Sequence, residues 1–412
     1  MNRRNLIRYA GAAALGGASS LTPAWALNWN RLIDAAGAPM TWRKIGAAAG
    51  TPNTWRKLGG PPAFIKTATG LYHSLGLSAD GRVFSCGWGL FGQLGNATNT
   101  DMSIFTEVSG LTNIVAIAAG YYHSLALRSD GKVFSSGRNN DGQLGDGTNT
   151  ERATFSLVPG LSGISAIVAY SNVSMALRSD GVVFCTGDNF DGQLGLGDTI
   201  SRNTFTQSLG AANIVKLDCG WRHSLALSSS GVLFASGYNG VGTYGNGTTT
   251  SQKVFTQTLS PTTTTEVACG DYHSLALSGG RVFACGDNYY GQLGDGGSSI
   301  STSIFTQIPG LSNIISIKAA FNHSLVLRSD GVVFTGGDND GGAMGNGTTV
   351  GSKTFFQMPG LSNIVKISCG PYHNLALRSD GAVFGCGAGL RGSLGTTASV
   401  STQVVVQAYQ LL

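Results

Sequence analysis

Gly120-Tyr121-Tyr122-His123-Ser124-Leu125-Ala126-Leu127 is the stretch that decides the reading of this 412-residue chain, because its histidine keeps a beat. His73, His123, His223, His273, His323 and His373 share one phase with a step of 50 residues, and they are all the histidines present; the empty beat falls on Val173. A period of that length marks repeated supersecondary units. Working outward from His123, residues 114–119 are short, apolar and of strand length, and residues 123–127 alternate small or polar with large apolar side chains. That alternation is the period of a half-buried strand. Ser129-Asp130-Gly131 is a tight hairpin turn, residues 132–136 form a third strand, and a Gly/Asn/Asp loop closes on Gly142-Gln143-Leu144-Gly145. Residues 154–158 supply a fourth strand, and Pro159-Gly160-Leu161 leads into the next unit. Four short antiparallel strands about every 50 residues, seven times over, predict an all-β, seven-bladed β-propeller. An open solenoid is the alternative, and closure is favoured because it removes exposed sheet edges.

Gly-x-x-His-Ser-Leu-Ala-Leu, then Asp-Gly-x-Val-Phe, then Gly-Gln-Leu-Gly resembles the RCC1 (regulator of chromosome condensation) repeat. The resemblance covers residues 65–412 and implies seven RCC1-like blades. Departures are local: Val173 replaces a histidine, and Gly242-Thr243-Tyr244-Gly245, Gly342-Ala343-Met344-Gly345 and Gly392-Ser393-Leu394-Gly395 replace Gly-Gln-Leu-Gly.

Residues 1–26 read as a twin-arginine-type signal peptide. Arg3-Arg4-Asn5-Leu6-Ile7-Arg8 precedes an Ala/Gly/Leu-rich core, and Ala24-Trp25-Ala26 matches a small-x-small cleavage site. The expectation is a periplasmic or extracellular protein with no membrane span apart from an uncleaved signal. Residues 27–64 form a joining segment in which Thr41-Trp42-Arg43-Lys44-Ile45-Gly46 and Thr54-Trp55-Arg56-Lys57-Leu58-Gly59 are near copies. The second copy is expected to act as a clasp strand beside the C-terminal strand at 403–407. The formal charge of +5 shrinks along the chain: residues 65–412 hold 18 basic and 20 acidic side chains. A nucleic-acid binder carries a basic face, so nucleic acid is not an expected partner.

Candidate chemistry is thin. One histidine per blade is too dispersed to gather three or four ligands on a metal, so each is expected to hydrogen-bond the backbone of its own blade or a neighbour. Cys269 with Cys285, or Cys369 with Cys386, would lie about 9–10 Å apart on strands one and three of a blade, beyond disulfide reach. Asp338-Asn339-Asp340-Gly341 lacks the remainder of a calcium loop. Adjacent His and Ser side chains point to opposite strand faces, which does not build a triad. No catalytic residue, cofactor or metal site is expected, and the reading is of a non-enzyme.

Strand direction puts the Gly-x-x-His turns and the loops before Gly-Gln-Leu-Gly on one face, and the Asp-Gly turns on the other. The first face collects Tyr72, Trp88, Phe91, Tyr121, Phe190, Trp221, Tyr238, Tyr289, Tyr290 and Phe321. Binding energy concentrates in such aromatic anchors. The expected function is an exported, monomeric, non-catalytic scaffold that binds a protein or glycan there. The resemblance to the RCC1 family implies two alternatives, a secreted enzyme inhibitor of the β-lactamase-inhibitor type and a guanine-nucleotide exchange factor for a small GTPase; a virion tail or decoration protein is a third.

Overall fold

The structure, a computed structural model, describes residues 41–44, 55–58, 63–261, 263–397 and 400–408. Two units are distinguished, one ending at Pro61 and one spanning Pro62–Leu411. In the first, Thr41–Lys44 and Trp55–Leu58 form an antiparallel hairpin. The near copies therefore pair with each other. The C-terminal strand Thr402–Gln407 pairs with Val383–Gly387 of its own blade. The expected signal at 1–26 lies outside the described residues.

The second unit is the predicted ring. Seven four-stranded antiparallel sheets span 64–107, 114–157, 164–207, 214–257, 264–307, 314–357 and 364–407, here blades 1 to 7. Strands follow chain order from the axis outward, and each sheet buries both faces. Leu125, Leu127 and Val133 of blade 2, for example, pack on Ile164, Ile167 and Ala176 of blade 3. The apolar core is thus divided among the seams between blades.

Two repeated joints fix these seams. In the first, His123 Nε2 lies 2.8 Å from Ser174 Oγ of the following blade, and Ser174 Oγ donates to Gln143 O at 2.7 Å. His73, His223, His273 and His373 repeat the contact to Ser124, Ser274, Ser324 and Ser74 at 2.8–2.9 Å. The one hydroxyl proton is committed to the carbonyl, so the imidazole donates through Nε2–H. His323 meets Asn374 Oδ1 at 3.0 Å, and Asn374 Nδ2 donates to Ala343 O at 2.8 Å, dividing the serine's two roles between two atoms. The bond runs between neighbouring blades, one of the two expected arrangements, but its partner is a side chain and not the expected backbone. Strand alternation explains it, since Ser74 faces blade 7 while His73 faces blade 2.

The second joint is the last glycine of Gly-Gln-Leu-Gly. Gly145 has φ +67°, and a Cβ there would sit 2.4 Å from the Phe205 ring of the next blade. Phe105 takes the same seat on Gly395. Blade 7 therefore closes on blade 1 through both joints, with no exchanged strand; the seam from blade 3 to blade 4 lacks the histidine, and Val405 takes the phenylalanine seat between blades 6 and 7.

Blades 3 and 6 depart from the common turn. A Cβ on Gly120 would lie 2.1 Å from His123 Cε1, so glycine and histidine are coupled choices. Blade 3 has Tyr170 in place of the glycine and Val173 in place of the histidine; blade 6 has Ala320 but keeps His323. Both first strands run one residue longer, pairing Tyr170 with Val173 and Ala320 with His323. The turn is completed with positive φ at Ser171 (47°) and Phe321 (26°).

Candidate partner-binding face

In blades 2 to 6 the loop before the Gly-Gln-Leu-Gly position is held by a buried asparagine, where blades 1 and 7 have Gly89 and Gly389. Asn189 Oδ1 accepts the Leu194 amide at 3.0 Å, and its Nδ2 donates to Asp198 O at 3.1 Å and Ile200 O at 3.2 Å. Asn139, Asn239, Asn288 and Asn339 accept the equivalent amide. With the asparagine turned inward, the next residue is turned out. Phe190 is consequently 75% exposed and Tyr289 68%. Asn339 and a turn bond from the Asp340 amide to Asp338 Oδ1 at 3.2 Å account for the calcium-like stretch.

The predicted aromatic residues do share a face, but they divide into two kinds. Phe190, Trp221, Tyr289 and Tyr290 are exposed. Tyr72, Trp88, Phe91, Tyr121, Tyr238 and Phe321 are half-buried and pack against other rings. Trp88 contacts Phe91, Tyr122 and Tyr72 at centroid distances of 5.4, 5.5 and 6.0 Å. Tyr72 stacks on Tyr372, which meets Phe321 at 5.5 Å. Trp221 and Tyr238 flank Tyr272, and Arg222 lies 4.7 Å from the Tyr238 centroid while paired with Asp191. Arg391 covers Trp88 at 5.1 Å and pairs with Asp101 at 3.2 Å. These cations hold the rings in place.

A polar knot missed by the sequence reading lies beneath the rings. Tyr170 (blade 3) and Tyr121 (blade 2) both donate to Asp271 of blade 5, at 2.8 and 3.0 Å, and the Phe321 amide of blade 6 donates to Tyr170 Oη at 2.6 Å. Asp271 is 1% exposed. Burial raises its pKa to about 6, against the two phenol hydrogen bonds that lower it. Burial also lifts both tyrosines above the ordinary phenol range. One signal in the sequence pointed here: Asp271 is an acid at a register position otherwise held by Leu71, Tyr121, Ser171, Trp221, Phe321 and Pro371.

The histidines are buried and neutral. Desolvation lowers His73, His123, His273 and His373 to about 3 and His223 to about 4. All seven cysteines are free. Among the described residues no three His, Cys, Asp or Glu side chains gather as a metal site, and no helix is long and apolar enough to cross a membrane.

Comparison with known proteins agrees with this architecture. The sequence profile of the RCC1-like domain matches residues 164–411, and RCC1 repeat profiles match 64–93, 114–143, 80–127 and 130–177. No curated protein matches the chain. The crystal structure of human WBSCR16 is similar at 22% identity and a TM-score of 0.69, covering 80% of this chain and 94% of that one. The Saccharomyces cerevisiae protein Prp20p, described with its binding to Gsp1p and histones, is similar at 23% identity and a TM-score of 0.72, covering 82% and 87%. The yeast RCC1 (Prp20) structure with Kap60 covers 89% and 91% at 21% identity and a TM-score of 0.71.

Proposed function

The chain belongs to the RCC1-like domain family, and from that premise we propose that it is an exported, non-catalytic scaffold whose aromatic loop face docks a protein partner. The observation that carries this reading is the exposure of Phe190, Trp221 and Tyr289 beside rings that are already packed together, with Trp221 lying against Tyr272. Anchors held rigid before contact lose little conformational entropy on binding. A structural relative supports the same reading, since Prp20p is described as binding Gsp1p and histones. Export rests on Arg3-Arg4 and Ala24-Trp25-Ala26.

The test is capture of partners from the native envelope or medium by the purified chain, followed by titration of the captured partner. Changing Phe190, Trp221 and Tyr289 together to alanine is expected to weaken binding at least tenfold while leaving the melting temperature within a few degrees. Unchanged affinity refutes the face assignment. Mature protein that begins at Leu27 supports export, and retention of Met1 in the cytoplasm refutes it.

A further inference from the structure

The first strands of the seven blades enclose an axial cavity of about 690 Å³. That is within the range of small-molecule sites. Tyr170, tied to Asp271 and to the Phe321 amide of blade 6, crosses its end under the aromatic face. The other end opens among the Asp-Gly turns, where each first strand begins.

Its wall is cationic. Lys66, Lys216, Lys318 and Lys366 face it, against Asp218 and Glu266. Both acids are already engaged: Glu266 accepts from Ser316 at 3.0 Å and pairs with Lys318 at 3.5 Å, and Asp218 accepts the Cys269 amide at 2.8 Å. Lys66 and Lys366 reach only carbonyl oxygens, Val115 O and Ile65 O, each at 2.8 Å. Lys216 forms no ion pair among the described residues. Three lysines thus share one register position with Glu266, and none of the three forms an ion pair among the described residues. The charge of Lys366 adds to burial in lowering the pKa of Lys66. An anion between these lysines would relieve that repulsion.

One residue nearer the opening, five of the seven side chains are apolar and exposed, the other two being Ser165 and Thr265. Val215 and Val365 line the cavity and are 49% and 46% exposed, and Ile65, Val115 and Ile315 hold the same register position in other blades. An apolar collar around a cationic tier is a pattern for an amphiphile.

We propose that this pit binds a small organic anion with an apolar body, its acid group at the Lys66–Lys216–Lys366 tier and its apolar part against the valine and isoleucine collar. The site is independent of the aromatic face, which lies at the other end of the axis.

The test uses the full chain and the fluorescent sulfonate 8-anilinonaphthalene-1-sulfonate, with decanoate and its uncharged analogue decanol as competitors. The expected result is one site per chain, displaced by decanoate at concentrations where decanol is ineffective. Lys216→Glu is expected to weaken binding at least tenfold with an unchanged melting temperature, and Lys216→Arg to retain it. Val365→Asp, at an exposed position, is a second variant expected to weaken it. The Phe190, Trp221 and Tyr289 alanine variant is expected to bind the probe normally, which separates this site from the docking face. Absence of saturable binding, many weak sites, equal competition by decanol, or wild-type affinity in Lys216→Glu each overturns the proposal.

Discussion

Ser124 shows how much one small side chain does in this ring. It accepts from His73 and donates to Gln93 O, joining two blades with a single hydroxyl. Ser124→Ala leaves a buried imidazole N–H and a buried carbonyl without partners, each costing roughly 1–3 kcal/mol. The expected loss is therefore about 2–6 kcal/mol in urea unfolding. Asn374→Ser should cost under about 1 kcal/mol, because serine performs both roles elsewhere in the ring. A loss in Asn374→Ser as large as that in Ser124→Ala would contradict the joint described here. The periodic residues were legible from the sequence because a fixed step makes each a copy of its neighbour. Tyr170 and Asp271 were not, since the hydrogen bond between them spans 101 residues and follows no repeat.

At the scale of the element, glycine placement sorts turns from seats. Gly145 is both left-handed in φ and pressed against Phe205. Gly160 has φ +76° with open space around it. Alanine in a left-handed conformation costs roughly 1–2 kcal/mol, so Gly160→Ala should lose about that much. Gly145→Ala must also displace the partly buried Phe205 ring and should lose clearly more, measured by chemical denaturation. Equal losses would show that the phenylalanine seat is not part of the joint. The turn of blade 3 gives a sharper test. Val173→His alone places an imidazole where the Tyr170 side chain already is. Adding Tyr170→Gly clears that space and lets the new histidine reach Ser224, as His223 reaches Ser274. The two changes should couple by about 1–3 kcal/mol in a double-mutant cycle. Simple additivity would refute the coupling of glycine to histidine. The four-strand grammar was readable because alternation and Asp-Gly turns are local. The lengthened first strands of blades 3 and 6 were not, because they follow from a clash in three dimensions.

For the whole molecule, the buried histidines set the response to acid. Folding lowers their pKa values from 6.5 to about 3 in four cases and about 4 in a fifth. The unfolded chain therefore binds more protons than the folded one below pH 6.5. Their contribution to stability is complete above pH 6.5 and is lost as pH falls towards 3. At pH 5 each such histidine removes about 2 kcal/mol relative to neutral pH. Asp271 acts with the opposite sign. Its raised pKa favours the folded state below about pH 4, and that preference fades as pH rises through 6. Asp218, also pushed up to about 6 by burial, acts the same way; five histidines outweigh these two aspartates, so the melting temperature should drop steeply between pH 6.5 and 4. A flat profile there would mean that the imidazoles are not held neutral. The ring itself was legible from seven copies of one motif. How it closes was not, because the joints at residues 373–74 and 395–105 repeat contacts whose partners only the folded ring identifies.

The histidine-to-serine contact has a direction: every donor reaches forward to the blade that follows. A partial ring therefore carries a free imidazole at its leading edge and a free hydroxyl at its trailing edge, and these two edges match. Contacts of this head-to-tail type close into rings or extend into filaments, depending only on the angle between neighbours. A chain cut short within blade 7 keeps both adhesive edges, and it is expected to run in sedimentation as linear oligomers, while the intact chain satisfies its own edges.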